Sequence, residues 1–369
     1  MELYVFHMDT FERLGVIDSY QSLEFVINYR KHSTLDLIVD ATAENIDYFI
    51  NNSNDIVLTK DNDLKHGYLI ETVKYVDDKK SQLEVYCKSL GLMLGWRQID
   101  GQQTFEGTVE EALRYFVNKN AINPSNAKRK INGLVLGPLN GITDTTSEAF
   151  SNKPLDESLW EICVKFDISY DVLLDIDNKQ FVFTVWKGLD RSTEQSINEP
   201  VIFSKEFDNV LAQNYVDDKS DYRNVCIIAG EGEGTGRTYL VINDEISGRQ
   251  RREMFVDARD LQSENEDETT MSSTQYEALL KERGKNKLAE NEQVRTFETD
   301  VDYGSQFVYG VDYKVGDKVT IRNDDLGLVN HTRIVTVTEK YSKAGFDLNI
   351  EFGSNVPSFI DKLKKVVNN

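Results

Sequence analysis

Strict alternation and short apolar runs dominate the first hundred residues. Leu23–Tyr29, Thr34–Val39, Asp55–Leu58, His66–Val76 and Gln82–Cys87 place hydrophobic side chains at every second position, or continuously over strand lengths. Successive strand side chains point to opposite faces, so this spacing predicts strands with one side on a core. Turn clusters at Asn51-Asn-Ser-Asn-Asp and Val76-Asp-Asp-Lys-Lys separate them. An antiparallel sheet closing into a small β-barrel is the expectation for residues 1–104.

The period then lengthens. Thr108 and Glu111 have capping-box spacing, and Val109, Ala112, Leu113, Phe116 and Val117 trace one helical face. A loop with Asn123-Pro124 and a Gly/Thr/Ser-rich stretch from 133 to 151 follow. A second helix is predicted from about Pro154, with Leu155, Leu159, Ile162, Cys163 and Phe166 on one side. Ile168–Leu174 and Phe181–Trp186 form a predicted hairpin around Asp177-Asn178. Residues 105–200 are therefore expected to be an α+β domain.

Strand patterning resumes at Val201-Ile-Phe-Ser, Arg223–Ala229 and Thr238–Ile242, and returns in Tyr313–Ile321, Thr332–Thr338 and Asp347–Phe352. These segments predict a second β-barrel, split into 201–247 and 296–357. Between them, 248–295 is polar, with an acidic loop at Glu264-Asn-Glu-Asp-Glu. A Thr274/Glu277 capping box opens a helix there, with Tyr276, Leu279 and Leu280 on its apolar side and Gly284 as a weak point. A basic amphipathic tail occupies 358–369. The predicted fold class is α+β and mainly β: two small β-barrels, an α+β domain between them, and a helical insertion in the second barrel.

The formal net charge of −21 removes one function class. A strongly acidic chain gains nothing from counterion release on a polyanion, so specific DNA binding is not expected. The charge either maintains solubility or forms an acidic wall along which DNA passes without sticking, and composition leaves both open. The chain start lacks the basic and apolar regions of a secretory signal, and no apolar run reaches the ~20 residues of a membrane span. Cys87, Cys163 and Cys226 are isolated and odd in number, which predicts buried thiols in a reducing cytoplasm without a disulfide framework.

Candidate chemistry is sparse. Gly230-Glu-Gly-Glu-Gly-Thr-Gly-Arg lacks the Gly-Lys-[Ser/Thr] of a phosphate loop and sets Glu231 and Glu233 where phosphate would sit. Asp61-Asn-Asp-Leu-Lys-His-Gly and Asp175-Ile-Asp-Asn-Lys depart from the calcium-loop pattern, with Lys65 and Lys179 at ligand positions, and are expected to be turns. His7, His32, His66 and His331 are too dispersed for ligand spacing. Paired acids such as Glu110-Glu111 are plentiful only because acids are. No catalytic residue, cofactor site or metal site is expected.

Arg251–Leu261 stands apart, because mixed charge is dense there and all its basic residues are arginine. The bland reading is a solvated connection. The functional one is a subunit contact in which Arg251, Arg252 and Arg259 meet carboxylates and Phe255 and Leu261 serve as apolar anchors, with Glu253, Asp257 and Asp260 in the same candidate set. The planar, weakly hydrated guanidinium suits such contacts.

The order of these features resembles the baseplate-hub or tail-tip hub proteins of tailed bacteriophages, in particular hubs of long non-contractile tails infecting Gram-positive hosts. The likeness runs through Phe11-Glu-Arg-Leu-Gly-Val-Ile-Asp-Ser-Tyr-Gln-Ser-Leu, Leu90-Gly-Leu-Met-Leu-Gly-Trp-Arg, Asp221-Tyr-Arg-Asn-Val and Gly248–Leu261, closing with Tyr313-Lys-Val-Gly-Asp-Lys-Val and Arg333-Ile-Val-Thr-Val-Thr. The resemblance implies a structural, non-enzymatic subunit of the virion tail, made in the host cytoplasm. It implies a homotrimer whose two similar barrels per chain give a pseudo-sixfold ring. Its partners would be a tail-tube or distal tail protein on one side and a tail fibre or receptor-binding protein on the other. DNA would pass through transiently, with no specific binding and no membrane insertion. Two rival readings belong to other classes: a cell-wall hydrolase or peptidase, and a carbohydrate-binding host-attachment module. Many relatives carry a lytic C-terminal extension, whereas this chain ends soon after its last predicted strand.

Overall fold

In the computed structural model, residues 1–264, 270–301, 306–343 and 345–353 are described. The basic tail at 358–369 and most of the acidic loop after Glu264 lie outside them.

The predicted N-terminal strands form, and two more precede them. They are β1 (Leu3–His7), β2 (Arg13–Ile17), β3 (Ser22–Asn28), β4 (Thr34–Asp40), β5 (Ile56–Lys60), β6 (Asp63–Asp77) and β7 (Ser81–Ser89). They lie antiparallel in the order β3-β4-β7-β6-β5-β1-β2. Leu23, Phe25, Leu35, Leu37, Leu83 and Val85 alternate inward onto one core shared with Ile17 of β2. A helical turn, α1 (Ala43–Ile46), carries the chain to Tyr48 and Phe49, which close that core.

The middle block contains α2 (Leu92–Gly95), β8 (Gln102–Thr108), α3 (Val109–Val117), β9 (Leu134–Leu136), β10 (Thr145–Ser151), α4 (Leu155–Phe166), β11 (Ser169–Asp175) and β12 (Gln180–Trp186). The Thr108/Glu111 capping box forms as its spacing predicts. So does the β11–β12 hairpin. The stretch expected to be a loop from 133 to 151 instead contributes two strands, β9 parallel to β12 and β10 antiparallel to β8.

The remaining elements are β13 (Ile202–Phe203), β14 (Val210–Asp218), β15 (Val225–Ala229), β16 (Tyr239–Ile242), β17 (Glu253–Asp257), α5 (Ser273–Ala289), β18 (Val294–Val301), β19 (Lys318–Asn323), β20 (Leu328–Ser342) and β21 (Gly345–Gly353). Six of them surround a second β core that includes Phe203, Val210, Phe297, Ile321, Val337 and Phe352. The inserted segment differs from the helical expectation. β15, β16 and β17 form their own three-stranded sheet, on which α5 packs through Tyr276, Leu279 and Leu280. The helix is capped by Ser272 with Gln275, not by Thr274 with Glu277. A run of three hydroxyl residues offers several caps, and only the chain's approach selects one. The helix continues through Gly284, where a Cβ would collide with the Ile242 side chain, so glycine allows helix and sheet to approach closely.

Neither β unit closes into a barrel among the described residues. A single hydrogen-bonded path runs β14-β18-β21-β20-β3-β4-β7-β6-β5-β1-β2, with β19 and β13 branching from β20. The reason is β20. The first part of this fifteen-residue strand pairs with β19, and the rest pairs with β3, from Thr336↔Asn28 to Ser342↔Ser22. The two β units are thereby one continuous sheet with two cores.

The units also repeat each other. In chain order β3, β4, β5, β6 and β7 correspond to β14, β18, β19, β20 and β21, and the spatial order β3-β4-β7-β6-β5 matches β14-β18-β21-β20-β19. Both long strands, β6 and β20, have fifteen residues and lead by a hairpin into nine-residue partners. Each carries one register shift against that partner, at Ile70/Thr72 and at Ile334/Thr336. The inserted sheet and α5 sit between β14 and β18, where the first unit has only a short connection. The match ends beyond β5, since β1 runs antiparallel to β5 while β13 runs parallel to β19.

Charged groups reinforce the junction. Lys60 Nζ lies 2.7 Å from Glu339 Oε2 and over the Phe25 ring, with both partners of the ion pair buried. Arg30 and Arg333 converge on Asp167 from the two β units, so the middle block is tied to both. Burial alone would raise the Asp167 pKa, but the hydrogen bond and charge of Arg333, with the charge of Arg30, hold it below the ordinary carboxylate value.

Two outcomes follow from this junction. Lys60→Met leaves Glu339 buried without its counter-charge and lowers stability by about 3–5 kcal/mol in urea unfolding, whereas Lys60→Met with Glu339→Leu recovers most of the loss. Because the folded Asp167 pKa is depressed, its contribution is present in full above the unfolded value of about 3.9 and disappears as pH falls through the folded value. Asp167→Asn therefore flattens the acid side of the stability profile below pH 4, as read by thermal melts at stepped pH.

Candidate subunit interface

The inserted sheet is sided by simple alternation. Cys226, Ile228, Leu240, Ile242, Met254 and Val256 face α5. Across the other side, Val241, Ile227 and Phe255 fall in one row, since Ile227 pairs with both neighbours. On this outer face Phe255 is 57% exposed, Tyr239 54% and Val241 40%, a contiguous apolar strip on a sheet whose opposite face is already packed. The guanidinium of Arg237 lies 5.7 Å from the Tyr239 ring centroid and 6.0 Å from that of Phe255, bridging the two aromatics.

The charged residues of Arg251–Leu261 frame this strip, but they pair within the chain. Arg251 reaches Asp244 at 3.0 Å and Glu253 at 2.6 Å. Arg252 donates to the Lys219 carbonyl and lies over the Tyr222 ring. Asp257 joins Arg237 to Arg259. The Arg259 hydrogen bond leads the causes that lower the Asp257 pKa, to about 2, outweighing desolvation. Asp260 pairs with Arg283 of α5 at 3.2 Å. These groups hold the sheet edge and the turn in place.

One expected anchor is corrected. Leu261 is fully buried, packed with the Ala258, Tyr276, Leu279 and Leu280 cluster, so it belongs to the core. Alternation in β17 ends at Asp257, and the turn that follows directs Leu261 inward. The Tyr276 hydroxyl donates to the Leu261 carbonyl and accepts from the Glu231 amide, which ties this turn to the glycine loop. That loop is a connection leading into β16. Arg237 donates to the Gly230 and Ala229 carbonyls across it.

The sheet is mounted rigidly on the middle block. Lys165 of α4 contacts Glu148 and Glu282, and Lys287 of α5 contacts Glu161 of α4 at 2.7 Å. Asn286 donates to the buried Glu148 carboxylate. Gln102 makes two hydrogen bonds with Gln262. Sequence reading missed Tyr239, Val241 and Arg237. The alternation of Tyr239-Leu-Val-Ile was visible, but nothing in it shows that β17 comes alongside.

Elsewhere, the aspartates of the calcium-like segments serve turns. Asp175 accepts from the Asn178 amide, and Asp63 from the Lys65 and His66 amides. All three cysteines are buried thiols. Among the described residues, no group of three or more His, Cys, Asp or Glu side chains is placed to share a metal ion. No helix among them is long and apolar enough to cross a membrane.

The two anchor assignments separate cleanly by measurement. Leu261→Ala destabilises the fold by about 2–5 kcal/mol. Phe255→Ala stays within about 0.5 kcal/mol in the same denaturant titration, because its ring is solvent-exposed before any partner binds.

No curated protein matches the chain by sequence. Solved structures do match in fold. The tail protein from Neisseria meningitidis MC58 aligns with a TM-score of 0.56 at 13% identity, covering 96% of this chain and 97% of that one. The 43 kDa tail protein of prophage MuSo2 from Shewanella oneidensis gives 0.56 at 13% identity, covering 95% and 98%. Prophage tail protein gp18 from Listeria monocytogenes EGD-e gives 0.53 at 12% identity over the full length of both chains. The expected likeness to phage tail proteins is thus borne out at the level of fold. The sequence profile of the Siphovirus ReqiPepy6 Gp37-like proteins matches residues 2–354, and the chain therefore belongs to that siphovirus family.

Proposed function

We propose that this protein is a structural hub subunit of a phage tail tip, three copies of which close into a ring. The observation that carries this reading is the repeated strand order of its two β units. Two like units per chain give six like positions in a trimer, so a threefold assembly presents near-sixfold geometry. A closed cyclic arrangement satisfies every copy of a head-to-tail contact. One side of such a ring suits a sixfold tail-tube or distal tail protein, and the other suits threefold fibres or receptor-binding proteins.

The division of labour follows the cores. The unit at β1–β7 and the unit formed by β13, β14 and β18–β21 form the ring. The middle block braces them through Asp167, and the inserted sheet projects its Tyr239–Val241–Phe255 face as a contact for a neighbouring tail protein. The net charge of −21 per chain supports a passage that repels DNA and lets it slide through. In this reading the protein works as part of the virion tail by shape and assembly, without a reaction of its own.

Sedimentation equilibrium of the full chain, from about 1 to 100 µM at low and moderate salt, is expected to give a mass three times that of the chain at the upper concentrations. A mass of two or four chains there would exclude the threefold ring.

A further inference from the structure

We infer that the subunits of the ring are joined by a β-ladder between β14 of one copy and the distal half of β6 of the next, in a register that the chain's own internal junction specifies. This rests on the ring reading above and names its contact.

Within the chain, the repeat is joined head to tail. β3 lies at the outer edge of the first unit's β3-β4-β7-β6 run, and it pairs with the distal half of β20, the long strand of the second unit. The corresponding elements are β14 and β6, and neither has the corresponding partner. Among the described residues β14 pairs only with β18. β6 pairs with β5 up to Tyr68, while beyond its register shift it pairs with β7 alone. Among the described residues, one unpaired edge of each type therefore remains. These are the two edge types that the β3–β20 junction brings together. A second copy of the chain supplies the missing partner for both, and a ring leaves none unpaired. Unpaired strand edges template pairing with another chain, so these two edges need a defined occupant.

The repeat also sets the register. The shifts at Ile70/Thr72 and Ile334/Thr336 align Thr72 with Thr336. Their partners across the hairpins are Tyr86 and Glu351. The next strands place Asp36 opposite Tyr86 and Glu298 opposite Glu351. One strand further out, Glu24 faces Asp36 and Asn214 faces Glu298, so Asn214 corresponds to Glu24. Glu24 faces Lys340 in the internal junction, and Lys340 corresponds to Val76. Asn214 of one subunit therefore faces Val76 of the next, with Tyr215 opposite Tyr75 and Val216 opposite Lys74.

The side chains suit that pairing. Tyr75 is 53% exposed near the distal end of β6, and Leu211, beside the start of the ladder, is 70% exposed. Directly opposed aromatics stabilise antiparallel pairs.

The test is disulfide trapping in the full chain. Asn214→Cys with Val76→Cys, under mild oxidation, is expected to run as covalent dimers and closed trimers on non-reducing gels. Yield should exceed by at least tenfold that of Asn214→Cys with Val73→Cys, whose partner sits three residues, roughly 10 Å, out of register. Each single variant should stay uncross-linked, since the native cysteines are buried. Tyr75→Asp should weaken association at least tenfold, with an unchanged melting temperature at concentrations where both proteins are monomeric. Trimers in sedimentation without trapping at 214/76 would overturn this ladder and leave the ring standing. Equal trapping in both registers would overturn the register. A chain that stays monomeric at 100 µM and traps nothing would sink both.

Discussion

The pairing of β3 with β20 is the constraint on which the rest of the structure depends. Sheets with one buried face need their edges managed, and a barrel does so by closing on itself. Here each unit curls around its own core but, among the described residues, stays open, and the distal half of β20 extends past β19 to take β3 as a neighbour. The two cores are fused through a backbone ladder, which is stiffer than a side-chain contact and fixes the relative angle of the units. The Lys60–Glu339 pair and the Asp167 cluster lie where that ladder meets the interior. The burial of Lys60 and Glu339 makes that pair intolerant of a shift in register, because a displaced charge would be left without its partner.

Fixing the units in this way leaves the rest of the chain free to decorate them. The connection between β3 and β4 is short, while the equivalent connection between β14 and β18 holds a whole sheet and helix. That layer is fastened to the middle block by lysine–carboxylate contacts on α4 and α5 rather than by a shared ladder. Its outer strip is apolar, framed by arginine–carboxylate pairs that are already satisfied. Such a surface favours a partner through aromatic burial, with the surrounding charges keeping it soluble beforehand.

Much of the architecture was legible in the sequence, for local reasons. Alternation in 23–87 specified strands because inward and outward positions are set by the pleat. The Thr108/Glu111 box and the Asp177-Asn178 turn act over three or four residues, so the α3 start and the β11–β12 hairpin needed no further information. The dense mixed charge of Arg251–Leu261 spans the strand that also carries the exposed Phe255 ring. Family membership was also carried by motifs in the sequence alone.

Only the tertiary structure decided which strands meet. Alternation says that β17 has two faces, but not that it lies parallel to β15, where it aligns Phe255 with Val241. It cannot tell Leu261, turned into the core, from Phe255, turned out, because the direction is set by a turn braced from Tyr276 on a distant helix. Nor could it say whether two β units would each close or would fuse through β20. Closure and fusion satisfy the same backbone groups with the same residues, and strand pairs far apart in sequence are chosen by packing. Local pattern determined the elements; non-local hydrogen bonding and the burial of a few charges determined their assembly.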